Sequence, residues 1–187
     1  TEVVEVLGGE RVESVVLKDG TSIPCDMIFP FIGVVIPTEW LASSGIALEK
    51  GIITNEYLET NLPDVFAAGD AARFDDVILR DRVMMGNWMN AREQGHLVAE
   101  NMLGAHKPFE LVSFHSSHGF GNMVGFAGDI RSRSERTYIF RGDPASDSYG
   151  RIILSGNVVV GATMVNRTPE LGTIVKLIAG QVDVSTK

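Results

Sequence analysis

The chain has 187 residues, 44% of them hydrophobic and 21% charged, with a formal net charge of -8. This composition is typical of a globular protein with a core of its own and excludes an intrinsically disordered chain. The negative charge would repel nucleic-acid phosphates, so we expect a small molecule or another protein as the partner and no nucleic acid.

Cys25 is the one cysteine, so it has no partner for an internal disulfide. A reducing compartment follows from this, and we expect a cytoplasmic protein. No apolar run reaches the ~20 residues that a membrane-spanning helix needs, so no membrane span is expected. The sequence starts inside a β-prone run without a methionine. We therefore expect a piece of a longer protein, with a processed natural start as the alternative.

Two β-prone runs open the chain, residues 3–7 and 11–17, with Gly8-Gly9 between them. Short apolar runs bounded by glycine are typical of strands, so this pattern predicts a hairpin. A third strand is expected to start at Thr21, after a tight turn.

Residues 27–32 are almost entirely apolar and predict a central strand. Pro30 is unusual in such a strand, because proline cannot donate a ladder hydrogen bond. Residues 37–45 predict a short helix, with Thr38 as its N-cap and Gly45 just after its end. A short strand is expected at residues 51–54.

A polar turn then leads into residues 65–68, which are apolar and predict a buried parallel strand ending at Gly69-Asp70. Ligands of open α/β sheets lie beyond the carboxyl ends of the strands. Glycine lets a ligand approach the backbone, and the Asp70 carboxylate can accept hydrogen bonds from sugar-like hydroxyls. A Gly-Asp turn that only closes the strand is the alternative interpretation of this spacing.

Residues 73–83 are charged and irregular, and we expect a solvated loop there. Helical spacing of apolar residues predicts a helix from about residue 85 to 103, ended by Gly104. Gly95 inside this helix indicates either close packing against a neighbour or a tolerated weakness. The apolar face of the helix is expected to comprise Met89, Ala91, Leu97, Val98, Ala99, Met102 and Leu103.

The composition changes after Pro108, and the rest of the chain is expected to form a small antiparallel sheet with a closing helix. The helix is expected to start at Pro169, with Thr168 as its N-cap, and to run through residue 179. The predicted strands of this sheet are residues 109–114, 123–127, 137–140, 151–154 and 158–165.

Residues 60–72, TNLPDVFAAGDAA, resemble the second flavin-binding motif of the pyridine nucleotide–disulfide oxidoreductases, flavoproteins with two dinucleotide-binding domains. The resemblance covers essentially the whole chain, including the helix with Trp88, Asn90 and Gln94. It implies that Asp70 binds a ribityl hydroxyl of FAD, with Gly69 and Ala71 beneath the cofactor. The sequence is most similar to the branch of ferredoxin and rubredoxin reductases and apoptosis-inducing-factor-like NADH oxidoreductases.

The resemblance also places the start of the predicted helix beside the flavin, which makes Asn87 and Trp88 expected cofactor-binding residues. The N-terminus of a helix has unpaired N–H groups and the positive end of the helix dipole. Directed at the pyrimidine edge of a flavin, it would stabilise the negative charge that develops on reduction. The alternative is an ordinary amphipathic helix with Trp88 in the core.

His115 occupies the position after Phe114 where this branch commonly has a tryptophan near the flavin. His115 is therefore either a flavin-contacting residue that alters its electronics or proton supply, or a plain surface-loop residue. A disulfide-reducing role is not supported, because Cys25 stands alone and no C-terminal His-x-x-x-x-Glu pattern is present.

The sequence has no Gly-x-Gly-x-x-Gly between a strand and a helix, and the nearest match, residues 119–124, has no third glycine. In the resembled family, both pyrophosphate-binding motifs lie upstream of the part that this chain matches. The expected fold is thus α/β plus α+β, a remnant of a two-dinucleotide-binding-domain flavoprotein followed by a small antiparallel-sheet-plus-helix interface domain. We expect the tail of the NAD(P)-binding domain at residues 1–36, the second FAD-domain segment at 37–108, and an interface or dimerisation domain at 109–187.

The predicted function is therefore that of the C-terminal part of a flavoprotein oxidoreductase, which passes hydride from NAD(P)H to FAD and on to an acceptor. The acceptor is expected to be an electron-transfer protein, a quinone or oxygen. We do not expect the chain alone to bind FAD tightly or to be active. No catalytic residue is identified.

Two alternatives remain. One is a non-catalytic dimerisation module without a cofactor, in which Val158–Val165 and the closing helix form the homodimer surface. The other is a metal site, since histidine and aspartate are common ligands, although no recognised spacing is complete. Its candidate ligands are His96, His106, His115, His118 and Asp129.

Overall fold

The computed structural model describes residues 1–185 and divides the chain into two compact units, Thr1–Val35 and the part from Ile36 onward. The first unit is a three-stranded antiparallel sheet in the order β1-β2-β3. The predicted hairpin is confirmed, and Gly8 has a φ of 154° at a place where a Cβ would collide with the Arg11 carbonyl group. The strands are β1 (Val3–Gly8), β2 (Val12–Leu17) and β3 (Ser22–Pro24).

Residues 27–32 form no strand, so the prediction of a central strand there is wrong. Phe31 and Ile32 are more than 90% exposed. Pro30 interrupts the run, because it has no N–H to donate to a ladder and fixes its own φ. Hydrophobicity alone therefore overestimated the strand content of this segment.

The second unit starts with a single 3-10 turn, Glu39–Leu41, where a short helix was predicted for residues 37–45. Thr38 occupies the N-cap position of this turn as predicted, but its side chain makes no capping hydrogen bond. The Trp40 indole donates instead to the Pro37 carbonyl at 3.1 Å. A segment this short forms too few helical hydrogen bonds to offset the cost of nucleation.

A small sheet follows, made of β4 (Ile52–Ile53), β5 (Ala72–Asp76) and β6 (Asp81–Val83), in which β4 and β5 are parallel. The prediction of a loop over residues 73–83 is therefore wrong. Ala72, Phe74 and Asp76 are buried on one face of β5, whereas charged residues alternate with them. Because of these charged residues, the alternation of buried and exposed positions that is typical of a strand could not be recognised in the sequence.

The predicted parallel strand at residues 65–68 is also wrong. Phe66 forms an isolated antiparallel bridge with Glu59, and the Ala67 N–H donates to the Leu58 carbonyl at 3.1 Å. The turn at Asp64, whose φ is 61°, returns the chain onto itself before the Gly-Asp pair. The chain enters the parallel strand only after this pair, at β5.

Helix α1 (Trp88–Met102) confirms the predicted helix but only part of its apolar face, of which Leu97 and Val98 pack against a hydrophobic core. Its buried residues are the amides Asn90, Gln94 and Asn101, while Met102 is 61% exposed. A Cβ at Gly95 would meet no atom within 4 Å. The interpretation of close packing at Gly95 is therefore wrong, and the glycine is a tolerated weakness in the helix.

A five-stranded antiparallel sheet in the order β7-β8-β11-β10-β9 forms the C-terminal part. It confirms the predicted sheet but not its first strand, because residues 109–113 are not in a strand and β7 is almost entirely polar. An edge strand exposed on both faces needs no apolar alternation. The strands are β7 (Phe114–Gly119), β8 (Asn122–Gly128), β9 (Arg136–Gly142), β10 (Tyr149–Ser155) and β11 (Val158–Val165).

Helix α2 (Leu171–Ala179) follows a 3-10 turn, Thr168–Glu170, and packs on this sheet. Thr168 makes no side-chain cap, so its predicted role as an N-cap is wrong. Strand β11 is central and contributes to the core beneath α2, so it is an interior element rather than the free surface expected for dimerisation. The buried residues of this C-terminal core are Val112, Ala127, Leu154, Val159, Ala162, Met164, Leu171, Ile174 and Ile178.

A second, smaller core comprises Leu58, Phe74, Val83 and Phe109. The rings of Phe74 and Phe109 meet edge to face, with centroids 5.4 Å apart. Leu97 and Val98 of α1 pack against this core. The segment between Val83 and α1 thus lies between the two cores, where the candidate site is found.

Candidate functional site

Gly69 begins a 3-10 turn, Gly69–Ala71, directly against α1. Its φ is 78°, in the left-handed region that glycine adopts without strain. A Cβ at this position would lie 3.5 Å from the Ala91 Cβ. The Gly69 N–H donates to Oε1 of Gln94 at 2.7 Å. The turn is thus held to the helix by one buried hydrogen bond and by close contact.

The Asp70 side chain is exposed and lies against Gly86, the residue that precedes the start of α1 by two positions. A Cβ on Gly86 would be 3.7 Å from Oδ2 of Asp70. The absence of a side chain at Gly86 therefore leaves a shallow cradle beside the carboxylate. Asp70 can accept hydrogen bonds there, because an ionised carboxylate is an acceptor only.

Asn87 is the N-cap of α1, and its Oδ1 accepts the N–H of Asn90 at 2.9 Å. Its Nδ2 donates to Oγ of Ser113 at 2.7 Å, which connects the helix start to the segment before β7. The cap uses one of the N–H groups that a helix leaves unpaired at its first turn. The other early N–H groups and the positive end of the dipole remain near Asp70 and Gly86.

A cavity of about 180 Å³ lies beside the helix start. Three segments form its walls: the residues from Val83 to Asn87, the strand entry at Ser113 and His115, and the end of β8 with the residues after it. Asn87 and His115, both expected from the family resemblance, line it. Asp70 reaches the same neighbourhood through its contact with Gly86.

His115 lies on β7 and stacks on Phe126, with ring centroids 4.9 Å apart and an angle of 26° between the planes. His115 is therefore not a loop residue, as the alternative interpretation had it. It belongs to a strand and borders the cavity. The stack fixes the plane of the imidazole while the ring edge stays exposed. An imidazole so held has ring nitrogens that can donate or accept a hydrogen bond.

Trp88 is not brought to the cavity. Its side chain is 76% exposed and lies under the guanidinium of Arg92, 5.7 Å from the ring centroid. The alternative that put Trp88 in the core is wrong for the same reason. The cofactor-binding role of Trp88 stays a prediction, and the same holds for Ala71, which lies beside Asp70 in the turn.

Charged residues form another wall of the cavity, where sequence patterns had offered only Asp129, as a candidate metal ligand. Asp129 is 3% exposed and accepts hydrogen bonds from Nε and a terminal nitrogen of Arg131 at 2.7 and 2.9 Å. Arg131 also donates to Asp81 of β6 at 2.9 Å. Burial alone would raise the pKa of Asp129, but the hydrogen bonds and charge of Arg131 outweigh it and hold that pKa below its ordinary value.

Sequence reasoning also missed Gly86, Gln94 and Ser113 as parts of the site. Gly86 was expected only as part of the helix start. Gln94 and Ser113 contribute through hydrogen bonds to Gly69 and Asn87, which lie 25 and 26 residues away in the sequence. Gln94 does stand four residues after Asn90, which is a spacing that places two amides on one helix face. That spacing was the one local signal of a polar contact surface.

Within residues 1–185, no three His, Cys, Asp or Glu side chains come together as the ligands of a metal ion would. The Gly-Phe-Gly sequence at residues 119–121 comprises the last residue of β7 and the turn before β8, and it is not followed by a helix. Neither α1 nor α2, nor any shorter helical turn in that part of the chain, has the length and apolarity needed to cross a bilayer.

Comparison with known proteins places this chain in a family. The family model described as pyridine nucleotide-disulphide oxidoreductase matches residues 1–95, just over half of the chain. The ferredoxin reductase subunit of the 5,5'-dehydrodivanillate O-demethylase from a Sphingobium species is 32% identical over 170 residues, covering 90% of this chain and 41% of that protein. Human apoptosis-inducing factor 3 is 31% identical over 183 residues, covering 96% of this chain and 30% of that protein.

Among solved structures, the covalent complex of putidaredoxin reductase with putidaredoxin contains a similar chain. Its TM-score is 0.86 at 26% identity, and the match covers 98% of this chain and 44% of the other. The chain therefore spans less than half of the length of each of these three proteins. The relatives belong to the two branches that the sequence resembled, ferredoxin reductases and apoptosis-inducing-factor-like proteins. The chain is a member of the pyridine nucleotide-disulphide oxidoreductase family.

Proposed function

We propose that the chain is the C-terminal part of an FAD-dependent oxidoreductase that passes hydride from NAD(P)H to FAD and electrons on to an acceptor. The observation that carries this proposal is the position of Asp70. Its exposed carboxylate faces the cradle at Gly86, next to the N-terminus of α1. Membership of an oxidoreductase family supports the reaction class.

The residues present fit a flavin. Asp70 offers carboxylate oxygens to the hydroxyl groups of a ribityl chain, and Gly86 leaves room for that chain. Gly69 and Ala71 are small and flank the carboxylate, so they leave the approach open. Asn87 and the first turn of α1 would lie towards the ring system. When bound, FAD accepts the electrons of a hydride and passes them on.

The start of α1 would contribute electrostatically. The first-turn N–H groups and the helix dipole favour a negative charge close to the helix N-terminus, by an amount on the order of 0.3–1 kcal/mol when exposed and more when water is excluded. The Asn87 cap fixes the direction of the helix start, and its bond to Ser113 fixes the distance to β7. These residues are proposed to orient the cofactor and favour its reduced form.

His115 is proposed to border the flavin. Its ring plane is fixed by the stack on Phe126, and its exposed edge is proposed to supply a hydrogen bond or a proton. Such a proton would be supplied at the wall of the cavity that also contains Asn87. Trp88 is proposed to contribute only its backbone N–H, because its side chain lies on the surface with Arg92.

An electron-transfer protein is the acceptor that we propose first, with a quinone or oxygen as the other candidates. The relatives' names support this order, since one is a ferredoxin reductase subunit and one structure is a reductase joined to putidaredoxin. A homodimer, a cytoplasmic location and inactivity of the chain by itself belong to the same proposal. The domain division at residues 36 and 108 is likewise proposed, and the end of the first compact unit at Val35 supports its first boundary.

The test is the flavin content of the complete protein with Asp70→Asn. The substitution removes the charge but keeps the size, and a hydrogen bond to a charged group contributes about 1.5–3 kcal/mol, so FAD affinity should fall about tenfold or more. Asp64→Asn is the matched control, since Asp64 is also exposed and asparagine tolerates its positive φ. FAD affinity is measured by absorbance and fluorescence titration of the apoprotein.

If Asp70→Asn holds FAD as tightly as the unaltered protein, the proposal is wrong. A complete protein that never takes up flavin would favour the alternative, a non-catalytic interaction module. The visible spectrum and intact mass of the purified protein distinguish these cases before any variant is made.

A further inference from the structure

The buried side of α1 is made of amides. Asn90 is 1% exposed and Gln94 is fully buried, and Asn101 completes the set of buried residues on this helix. Burying an amide costs free energy unless its hydrogen bonds are replaced. Gln94 and Asn90 each offset part of this cost through a hydrogen bond to a backbone group.

The contacts of two of these amides, Gln94 and Asn90, converge on the candidate site. Gln94 accepts the N–H of Gly69 at 2.7 Å, and Asn90 donates to the carbonyl of Met85 at 3.0 Å. Gly69 precedes Asp70, and Met85 precedes Gly86. The two residues that face each other across the cradle are thus each held, through a neighbour, by the same face of one helix.

Gly69 is the position where such a constraint has most effect. Glycine has the widest choice of backbone conformations, and its φ here is 78°. A rotation about Gly69 would redirect the Asp70 side chain, which is exposed and has no resolved hydrogen bond of its own to fix it among residues 1–185. The Gln94 bond is buried, so water does not compete with it.

We infer that Gln94 is a positioning residue, which orients the Asp70 carboxylate towards its ligand by holding the Gly69 N–H from the buried face of α1. The inference rests on the proposed flavin function, because the ligand is taken to be the ribityl hydroxyl of FAD. It assigns to Gln94 a role in affinity without contact with the ligand. Asn90 has the corresponding role for Gly86, through Met85.

The test uses Gln94→Met, which is close in length and shape but cannot accept the Gly69 N–H. The matched control is Val98→Ala, on the same helix, which removes packing against the smaller core without touching Gly69. Two quantities are measured on each: hydrogen exchange of the Gly69 amide in the 187-residue chain, and FAD affinity of the complete protein.

We expect Gln94→Met to speed the exchange of the Gly69 amide about tenfold beyond any global change, because a buried N–H loses its acceptor. FAD affinity should fall by a similar factor, with a change in the visible circular dichroism of bound flavin. Val98→Ala should lower overall stability and leave both quantities at their native values after correction for it.

Faster exchange at Gly69 with native FAD affinity would show that Gln94 is only structural and would overturn the inference while the proposed function stands. Unchanged hydrogen exchange of the Gly69 amide would also overturn the inference, since it would show that the hydrogen bond from Gly69 to Gln94 does not constrain Gly69. If the unaltered complete protein binds no FAD, both the proposed function and the inference are wrong. This outcome is measured on the unaltered protein, so it is distinguished from the other two without any variant.

Discussion

Replacing the buried Asp129 with asparagine should lower the free energy of unfolding by about 3 kcal/mol. Asp129 accepts hydrogen bonds from Arg131 at 2.7 and 2.9 Å and from Arg136 at 3.2 Å. Asparagine keeps the size of the side chain but removes the charge, and its amide nitrogen would face cationic donors. The arginines would then be left without their shared carboxylate.

The magnitude follows from the exposure of each partner. Removing one member of a buried ion pair costs about 3–5 kcal/mol, because the other charge stays uncompensated. The Arg131 side chain is 46% exposed, so water screens much of its share, whereas the Arg136 side chain is 9% exposed. The lower end of the range is therefore expected.

Urea unfolding followed by circular dichroism measures this loss, with an unchanged m-value as the sign of an unchanged native state. In a thermal scan, about 3 kcal/mol corresponds to a fall in Tm of about 6–12 °C for a chain of this size. Asp147→Asn is the control, because Asp147 is exposed and should change stability by less than about 0.5 kcal/mol. An Asp129→Asn variant as stable as this control would refute the reasoning.

The effect should also depend on pH. The pKa of Asp129 is below its ordinary value of about 3.9, since the hydrogen bonds and charge of Arg131 outweigh the opposing effect of burial. A carboxyl group with a lowered pKa in the folded state stabilises that state above its unfolded pKa, and this stability is lost as the pH falls through the folded value. The difference between the native protein and Asp129→Asn should thus be constant above about pH 4 and shrink below it.

Two further predictions concern α1. Gly95→Ala should raise the free energy of unfolding by about 0.5–1 kcal/mol, because a Cβ there meets no atom within 4 Å and alanine favours the helix; a loss of stability in urea unfolding would show that the site is not open. Asn101→Ala should lower it by about 2–3 kcal/mol, because Asn101 makes hydrogen bonds of 3.0 Å to Tyr57 and of 2.9 and 2.8 Å to Lys107. A loss below about 0.5 kcal/mol in the same assay would contradict that account of the helix.

The elements that could be predicted from the sequence are those specified by neighbouring residues. The hairpin of β1 and β2 follows from two β-prone runs around Gly8, and the C-terminal strands β8 to β11 follow from runs between turns. The start of α1 at Asn87 and the family follow from local patterns of the same kind. Each of these signals lies within a short stretch of neighbouring residues, so distant partners were not needed.

The elements that failed are those that distant contacts decide. Residues 73–83 have the charged composition of a loop, so β5 was not predicted from the sequence. The face of β5 that contains Phe74 is covered by the smaller core. Residues 27–32 had the apolar content of a strand, but Pro30 leaves the run without a complete ladder. The hydrophobicity of a segment indicates that its side chains would be stabilised by burial. It does not indicate whether another segment of the protein is available to cover them.

The sequence by itself determined that a Gly-Asp pair would be followed by a helix, because glycine and the helical period are local properties, whereas the place of the helix start beside the site was implied by the family resemblance. Only the tertiary structure decided that Gln94 holds Gly69 across 25 residues and that Asp129 and Arg131 wall the cavity. A buried polar group is stable only with its partner, and that partner can lie anywhere in the chain. The chemistry of this site was thus visible in residue types, whereas its geometry came from hydrogen bonds between distant segments.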